Sequence, residues 1–196
     1  MSFRLASLPD SAPRTGNAFT RWIGRSVLRL GGWTMAGDFP DQPKLVIIAA
    51  PHSSGWDAVW GLAAKVALGI RIVVIGKQEL FRWPLGWLLR KFGAVPVDRA
   101  HAHGVVEQVA ERFADSDAMW FVLAPEGTRK HVRNWKTGFW HIAREANVPV
   151  LCAYFHYPER TIGIGPILHM TADAKADMAR VREFYRPWIG KHRGTT

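Results

Sequence analysis

Residues 44–68 read KLVIIAAPHSSGWDAVWGLAAKVAL, the pattern of a buried strand, a short polar loop and a helix in succession. The strand pattern at 44–50 is apolar throughout and rich in branched side chains, as in a strand covered on both faces. The loop at 51–55 carries serines and a glycine, and helix formers dominate 56–68. Strand followed directly by helix predicts a parallel sheet, whose working groups gather on loops at the strand ends.

The same alternation continues along the rest of the chain. We predict further strands at 70–75, 94–97, 119–124, 148–155 and 161–164. We predict helices at 17–31, 103–114, 138–146 and 173–189, with two short helices inside 78–92. The chain shows no internal repeat or linker, so we expect one α/β domain over residues 1–196 with a largely parallel sheet.

The helix predicted at 17–31 is basic and amphipathic. Its apolar face carries Phe19, Trp22, Ile23, Val27 and Leu30, and its other face carries Arg21, Arg25 and Arg29. This pattern fits a helix that lies in a membrane interface, and it equally fits a surface helix whose apolar stripe packs on the domain. No run of about 18 uncharged apolar residues predicts a membrane span. The first 16 residues lack the apolar core of a secretory signal.

The composition favours polyanionic surfaces as partners. The formal net charge is +10, which suits both nucleic acid and anionic membranes, and ten tryptophans favour a membrane interface. No helix-turn-helix, zinc-finger or RNA-recognition sequence is visible, so no nucleic acid is expected. The single cysteine, Cys152, excludes an intrachain disulfide and a cysteine-based metal site. The histidines show no convincing metal spacing, so we expect no metal.

His52 and Asp57 are the first candidates for chemistry. A histidine can take a proton from a hydroxyl at neutral pH, and a carboxylate can fix its tautomer and stabilise the imidazolium. Gly55 lets the chain curl so that Asp57, in the first helical turn, reaches back to the ring. Alternatively, Asp57 could serve only the start of the helix.

The run Pro125-Glu126-Gly127-Thr128-Arg129 follows the strand predicted at 119–124. Gly127 permits a tight turn, and Arg129 offers a two-pronged donor for a phosphate. A polar turn in which the glutamate and the arginine pair with each other is the alternative. Charged residues also follow the other strands, at Lys77 and at Arg99.

The order of these pieces resembles the glycerolipid acyltransferase family, which includes the lysophosphatidic acid and glycerol-3-phosphate acyltransferases. The similarity runs from about residue 32 to residue 165. It is carried by His-x4-Asp at 52–57, Lys-x-Glu-Leu at 77–80, Phe-Gly-x-x-x-Val-Asp-Arg at 92–99, Pro-Glu-Gly-Thr-Arg at 125–129 and Val-Pro-Val at 148–150. The resemblance implies a mixed, largely parallel central sheet flanked by helices.

The resemblance also implies a role for each matching residue. His52 would be the general base on an acceptor hydroxyl, and Asp57 its orienting partner. The acceptor-binding block would comprise Glu126, Gly127, Thr128 and Arg129, with Arg129 facing a phosphate. The remaining pocket residues would be Lys77, Arg99 and Lys136.

The implied reaction moves a fatty acyl group from acyl-CoA or acyl carrier protein to the free hydroxyl of a lysophospholipid, with no cofactor. The acceptor expected first is 1-acyl-glycerol-3-phosphate, which would give phosphatidic acid at the cytoplasmic face of the cell membrane, with the protein peripheral or monotopic. The basic stretch 130–133 and Trp135 depart from the family pattern and leave the acceptor open. The alternatives are another acceptor such as a lyso-ornithine lipid, or a non-catalytic basic protein that binds lipid or nucleic acid.

Overall fold

A computed structural model of the chain describes residues 3–97 and 102–194. Seven strands form one sheet in the order β1-β7-β6-β2-β5-β3-β4. The strands are β1 (Thr34–Ala36), β2 (Lys44–Ala50), β3 (Ile72–Lys77), β4 (Ala94–Val97), β5 (Met119–Leu123), β6 (Val150–His156) and β7 (Thr161–Leu168). The helices are α1 (Ala18–Leu30), α2 (Trp56–Leu68), α3 (Leu85–Lys91), α4 (Ala102–Ala114), α5 (Gly138–Glu145) and α6 (Ala174–Tyr185), with a 3-10 helix at Gln78–Phe81.

The sheet is mixed and mostly parallel, which confirms the predicted fold class. Strands β6, β2, β5, β3 and β4 run in the same direction, whereas β7 is antiparallel to β6 and β1 is parallel to β7. Ile48 of β2 lies opposite Leu123 of β5, and Ala50 lies opposite Tyr154 of β6. The loops that follow β5, β2 and β6 therefore leave the same edge of the sheet side by side.

Strand β2 is buried on both faces, as its unbroken apolar sequence predicts. Leu45 and Ile47 belong to a core shared with α1 and α2, and Val46 and Ile48 belong to a second core shared with α4, α5 and α6. Alternate side chains of a strand point to opposite faces, so one seven-residue strand anchors both layers. This double anchorage fixes the position of the loop that begins at Pro51.

Helix α1 packs on α2 with a face that the sequence pattern did not single out. Leu28 is buried, and Gly24 approaches so closely that a Cβ atom there would lie 2.3 Å from the Ala67 backbone nitrogen. The apolar face predicted from the sequence remains exposed. The alternative in which this stripe packs on the domain is therefore wrong. No helix within the described part of the chain is long and apolar enough to cross a bilayer.

Apart from shifts of one or two residues at the ends of other elements, three features differ from the sequence predictions. Strand β1 was not predicted, because three residues are too few to show a period. Strand β7 continues through Gly165 and Pro166, which read as a break in the sequence but lie in a strand near the edge of the sheet. The predicted helix 173–189 ends at Tyr185, because Pro187 has no backbone N–H with which to continue the helical hydrogen bonds.

Candidate active site

His52 and Asp57 meet in the loop between β2 and α2. The His52 Nδ1 atom lies 3.2 Å from Asp57 Oδ2. The histidine side chain is 28% exposed, whereas that of Asp57 is 1% exposed. A buried carboxylate on Nδ1 leaves Nε2 as the ring nitrogen that can receive a proton from a substrate.

The Asp57 carboxylate also organises the loop that carries His52. Its Oδ2 atom accepts hydrogen bonds from the backbone N–H groups of Ser53 at 2.8 Å and Ser54 at 2.9 Å. Burial would raise the pKa of Asp57, but the hydrogen bonds from His52, Tyr157 and Ser54 outweigh it and hold that pKa below its ordinary value. Asp57 is thus ionised at neutral pH, as an orienting partner must be. The groups that donate to Asp57 Oδ2 lie in the loop before α2, so Asp57 does more than stabilise the first turn of that helix.

Tyr157 is a member of this site that the sequence did not reveal. Its hydroxyl donates a 2.6 Å hydrogen bond to Asp57 Oδ1. Burial and the Asp57 carboxylate both raise the pKa of Tyr157, so the hydroxyl stays protonated and keeps donating. Tyr157 directly follows β6, the neighbour of β2. Only the strand order, which the sequence does not give, places it beside Asp57.

Glu126 supports the same loop from the other side. Its Oε1 atom accepts the backbone N–H of His52 at 3.1 Å, and its Oε2 atom accepts from Arg193 Nη2 at 2.9 Å. Burial raises the pKa of Glu126 above its ordinary value, although His52 and Arg193 act in the opposite direction. The alternative in which Glu126 pairs with Arg129 is wrong, because Arg193 supplies the guanidinium.

Two exposed cations lie close to the two loops that the His52–Glu126 hydrogen bond joins. A Cβ atom at Gly55 would lie 3.2 Å from Arg129 Nη1, so this guanidinium stands over the first turn of α2. Gly127 has a φ of +68°, and a Cβ atom there would lie 2.8 Å from Lys136 Cδ and Cε. The Thr128 hydroxyl accepts the Lys130 N–H at 3.2 Å and so shapes the turn. Cations beside a helix N-terminus suit an anionic ligand.

Lys77 and Arg99 are the two remaining predicted pocket residues. Lys77 is the last residue of β3, whose end lies two strands from β2, roughly 10 Å away at ordinary strand spacing. Arg99 lies outside the described residues. Among the residues that the structure describes, no group of three or more histidine, cysteine, aspartate or glutamate side chains could hold a metal ion.

Comparison with known sequences gives three matches. A family model described as "Acyltransferase" matches residues 37–156. A 1-acyl-sn-glycerol-3-phosphate acyltransferase of Streptococcus pneumoniae is 28% identical over 127 residues, covering 64% of this chain and 47% of that protein. A probable 1-acyl-sn-glycerol-3-phosphate acyltransferase 5 of Arabidopsis thaliana is 31% identical over 94 residues, covering 45% of this chain and 25% of that protein. The chain thus matches half or less of the length of each relative.

A solved structure shares the fold. The crystal structure of the 1-acyl-sn-glycerophosphate (LPA) acyltransferase PlsC from Thermotoga maritima superposes with a TM-score of 0.62 and 17% identity. The match covers 85% of this chain and 75% of that one.

Proposed function

The chain belongs to the acyltransferase family, and we propose that it moves a fatty acyl group from a thioester to the free hydroxyl of a lysophospholipid. The observation that carries this proposal is the His52–Asp57 pair, with a partly exposed imidazole held by a buried, ionised carboxylate. A base of this kind activates a hydroxyl without a covalent acyl-enzyme. Two relatives named as 1-acyl-sn-glycerol-3-phosphate acyltransferases support the same chemistry.

In the proposed reaction, His52 Nε2 takes the proton of the acceptor hydroxyl as its oxygen attacks the thioester carbonyl. The tetrahedral oxyanion then collapses, the carbon–sulfur bond breaks, and the imidazolium returns its proton to the departing thiolate. Asp57 stabilises the imidazolium while it exists. The products are an ester and a free thiol, so the step needs no oxidant, reductant or cofactor.

We propose 1-acyl-glycerol-3-phosphate as the acceptor. We call residues 51–57 the catalytic loop. Arg129 and Lys136 offer two exposed cations near this loop, and such a pair suits the headgroup of a phosphate monoester. A lyso-ornithine lipid, the alternative acceptor, has no phosphate for them. The thioester donor is acyl-CoA or acyl carrier protein.

The test is acyl transfer from palmitoyl-CoA, and in parallel from palmitoyl carrier protein, to lysophosphatidate on anionic vesicles, with product followed by mass spectrometry. We expect phosphatidic acid from the wild type and none from His52→Ala. Arg129→Gln should raise the KM for lysophosphatidate, whereas Arg71→Gln, at the opposite edge of the sheet, should not. Phosphatidic acid made by His52→Ala at the wild-type rate would refute the proposal.

We further propose that α1 and the exposed side of α2 rest on the membrane, at its cytoplasmic face, with the protein peripheral or monotopic. Leu30 is 89% exposed, Phe19 65% and Trp22 62%, and Trp56 at the start of α2 is 50% exposed. Arg21, Arg25 and Arg29 suit anionic headgroups beside this apolar face. Trp56 directly precedes Asp57, so this surface lies beside the His52–Asp57 pair.

Vesicle sedimentation tests this membrane surface. Leu30→Glu should weaken binding to vesicles that contain phosphatidylglycerol, since it places a charge where an apolar side chain would enter the interface. Ala114→Glu adds the same charge to the exposed end of α4 and serves as the matched control. Equal binding by the two variants would exclude α1 as the docking surface.

A further inference from the structure

A C-terminal segment that lies outside the family match folds over the catalytic loop. We call residues 189–194 the strap. Its two ends meet in an antiparallel bridge between Ile189 and Gly194, and the Gly190 N–H donates to Arg193 O at 2.9 Å. The Tyr157 N–H donates to Ile189 O at 2.9 Å, which ties the strap to the chain beside the site.

The strap touches the catalytic loop at several points. The His192 N–H donates to Ser53 Oγ at 3.3 Å, and Lys191 Nζ lies 5.1 Å from the centroid of the Trp56 ring. Gly190 approaches so closely that a Cβ atom would lie 2.6 Å from Ser53 Oγ and 3.1 Å from Pro51 Cγ. These contacts lie on both sides of His52 in the chain.

Arg193 joins the strap to the buried carboxylate of Glu126. Its Nη2 atom donates to Glu126 Oε2 at 2.9 Å and to the Lys130 carbonyl at 2.8 Å. Its Nη1 atom donates to the Gly194 carbonyl at 3.0 Å. The Glu126 side chain has no exposed surface, so Arg193 is the cation that compensates a fully buried charge.

Glu126 connects Arg193 to the backbone of His52. One of its oxygens receives Arg193 and the other receives the His52 N–H, so the guanidinium, the carboxylate and the His52 backbone form one continuous chain. Asp57 holds the imidazole ring of the same residue. His52 is thus restrained through its ring by one buried carboxylate and through its backbone by another.

Resting on the proposed acyl transfer, we propose that Arg193 is a positioning residue that keeps Glu126 on the His52 backbone and so fixes the base for proton transfer. Glu126 then acts on His52 rather than on the acceptor. Loss of the guanidinium should therefore lower kcat and leave the KM for lysophosphatidate unchanged. A displacement of the base by about 1 Å can cost roughly a hundredfold in rate.

The experiment compares Arg193→Gln, Arg193→Lys and Arg193→Ala with Arg186→Gln, which removes an exposed arginine paired with Glu183. We expect Arg193→Gln to lose about tenfold to a hundredfold in kcat with the KM for lysophosphatidate within about twofold of wild type. Arg193→Lys should retain part of the rate, and millimolar guanidinium chloride should restore part of it to Arg193→Ala. Arg186→Gln should match the wild type.

A purely structural role for Arg193 would lower the melting temperature and the folded fraction without changing kcat per folded molecule, and that result would overturn the proposal. A raised acceptor KM with unchanged kcat would also overturn it, because Arg193 would then touch substrate. If the Arg193 variants do not fold, Glu126→Gln carries the test. That variant keeps a carbonyl acceptor for the His52 N–H and should lower kcat without changing KM.

A readout that needs no turnover separates this proposal from the proposed function. The ring resonances of His52 can be assigned in NMR spectra by their loss in His52→Ala. They should shift in Arg193→Gln and stay in place in Arg186→Gln. A wild type without transferase activity would refute the proposed function, whereas His52 resonances unmoved by Arg193→Gln would refute the positioning role.

Discussion

Replacing Asp57 with asparagine removes the negative charge beside the base and keeps most of its geometry. The amide oxygen of the variant can accept from the Ser53 and Ser54 N–H groups and from His52, as Oδ2 does now. The amide nitrogen then faces the Tyr157 hydroxyl, which can turn to accept. Asp57→Asn should therefore fold normally and test the charge alone.

The expected effect follows from the distance between the two groups. Two unit charges 3.2 Å apart, at an effective dielectric constant of about 20, attract by about 5 kcal/mol. Water reaches the partly exposed imidazole and weakens that attraction, so we take about 3–4 kcal/mol as the loss to a transition state that carries an imidazolium. That loss corresponds to roughly a hundredfold to a thousandfold in kcat.

The assay is steady-state acyl transfer at pH 7, with the melting temperature of each variant measured beside it. Asp57→Asn should lose kcat with little change in melting temperature. Adding Tyr157→Phe to it should lower the melting temperature, since the amide N–H then faces a ring that cannot accept. Wild-type kcat in a folded Asp57→Asn variant would refute the argument that the carboxylate charge supports catalysis.

Three further predictions concern the scaffold of the site. Gly127→Ala should lower the free energy of unfolding by about 1–2 kcal/mol, because Gly127 has left-handed backbone, and should displace Lys136. Thermal melts would show the first effect, and a raised KM for lysophosphatidate the second. The control, Gly104→Ala in α4, should be neutral or stabilising. The pKa of Asp57 is lowered by folding, so its carboxylate stabilises the folded state above pH 3.8, and this stability is lost as pH falls through the folded-state pKa. The pKa of Glu126 is raised by folding, so its ionisation destabilises the folded state as pH rises above 4.5. The free energies of unfolding of wild type and Asp57→Asn, measured in urea, should therefore converge as the pH falls from 7 to 3. Tyr185→Phe should lower the free energy of unfolding in urea by about 1–3 kcal/mol, because its buried hydroxyl donates to the Ile48 carbonyl at 2.6 Å and lies 2.9 Å from the Ala153 carbonyl.

Local sequence was sufficient for the elements that carry the motifs. Both β2 and α2 lie at the residues predicted, because an unbroken apolar run and a following helix pattern are read within a few residues. The meeting of His52 with Asp57 follows from the same short loop. The class of the sheet follows from the alternation of strand and helix patterns along the chain.

Long-range partners could not be predicted in this way. Tyr157 lies 100 residues from Asp57 in sequence, and Arg193 lies 67 residues from Glu126. Neither belongs to a recognisable motif, and both are outside the family match. Their positions depend on the strand order β6-β2-β5 and on the chain turning back after α6, which no local pattern encodes. The apolar face of α1 could be recognised from the sequence. The face of α1 that packs on α2 could not, because it is set by Gly24, whose lack of a side chain permits the close approach.

The contact between Ser53 and His192 joins residues 139 positions apart. On a ribosome that adds about 5–20 residues each second, the loop that holds His52 emerges roughly 7–28 s before the strap that covers it. During that interval the growing chain presents His52 without the hydrogen bonds that connect its backbone to Arg193 through Glu126. The site becomes complete only after β5 and β6, the strands that pair with β2, have been synthesised.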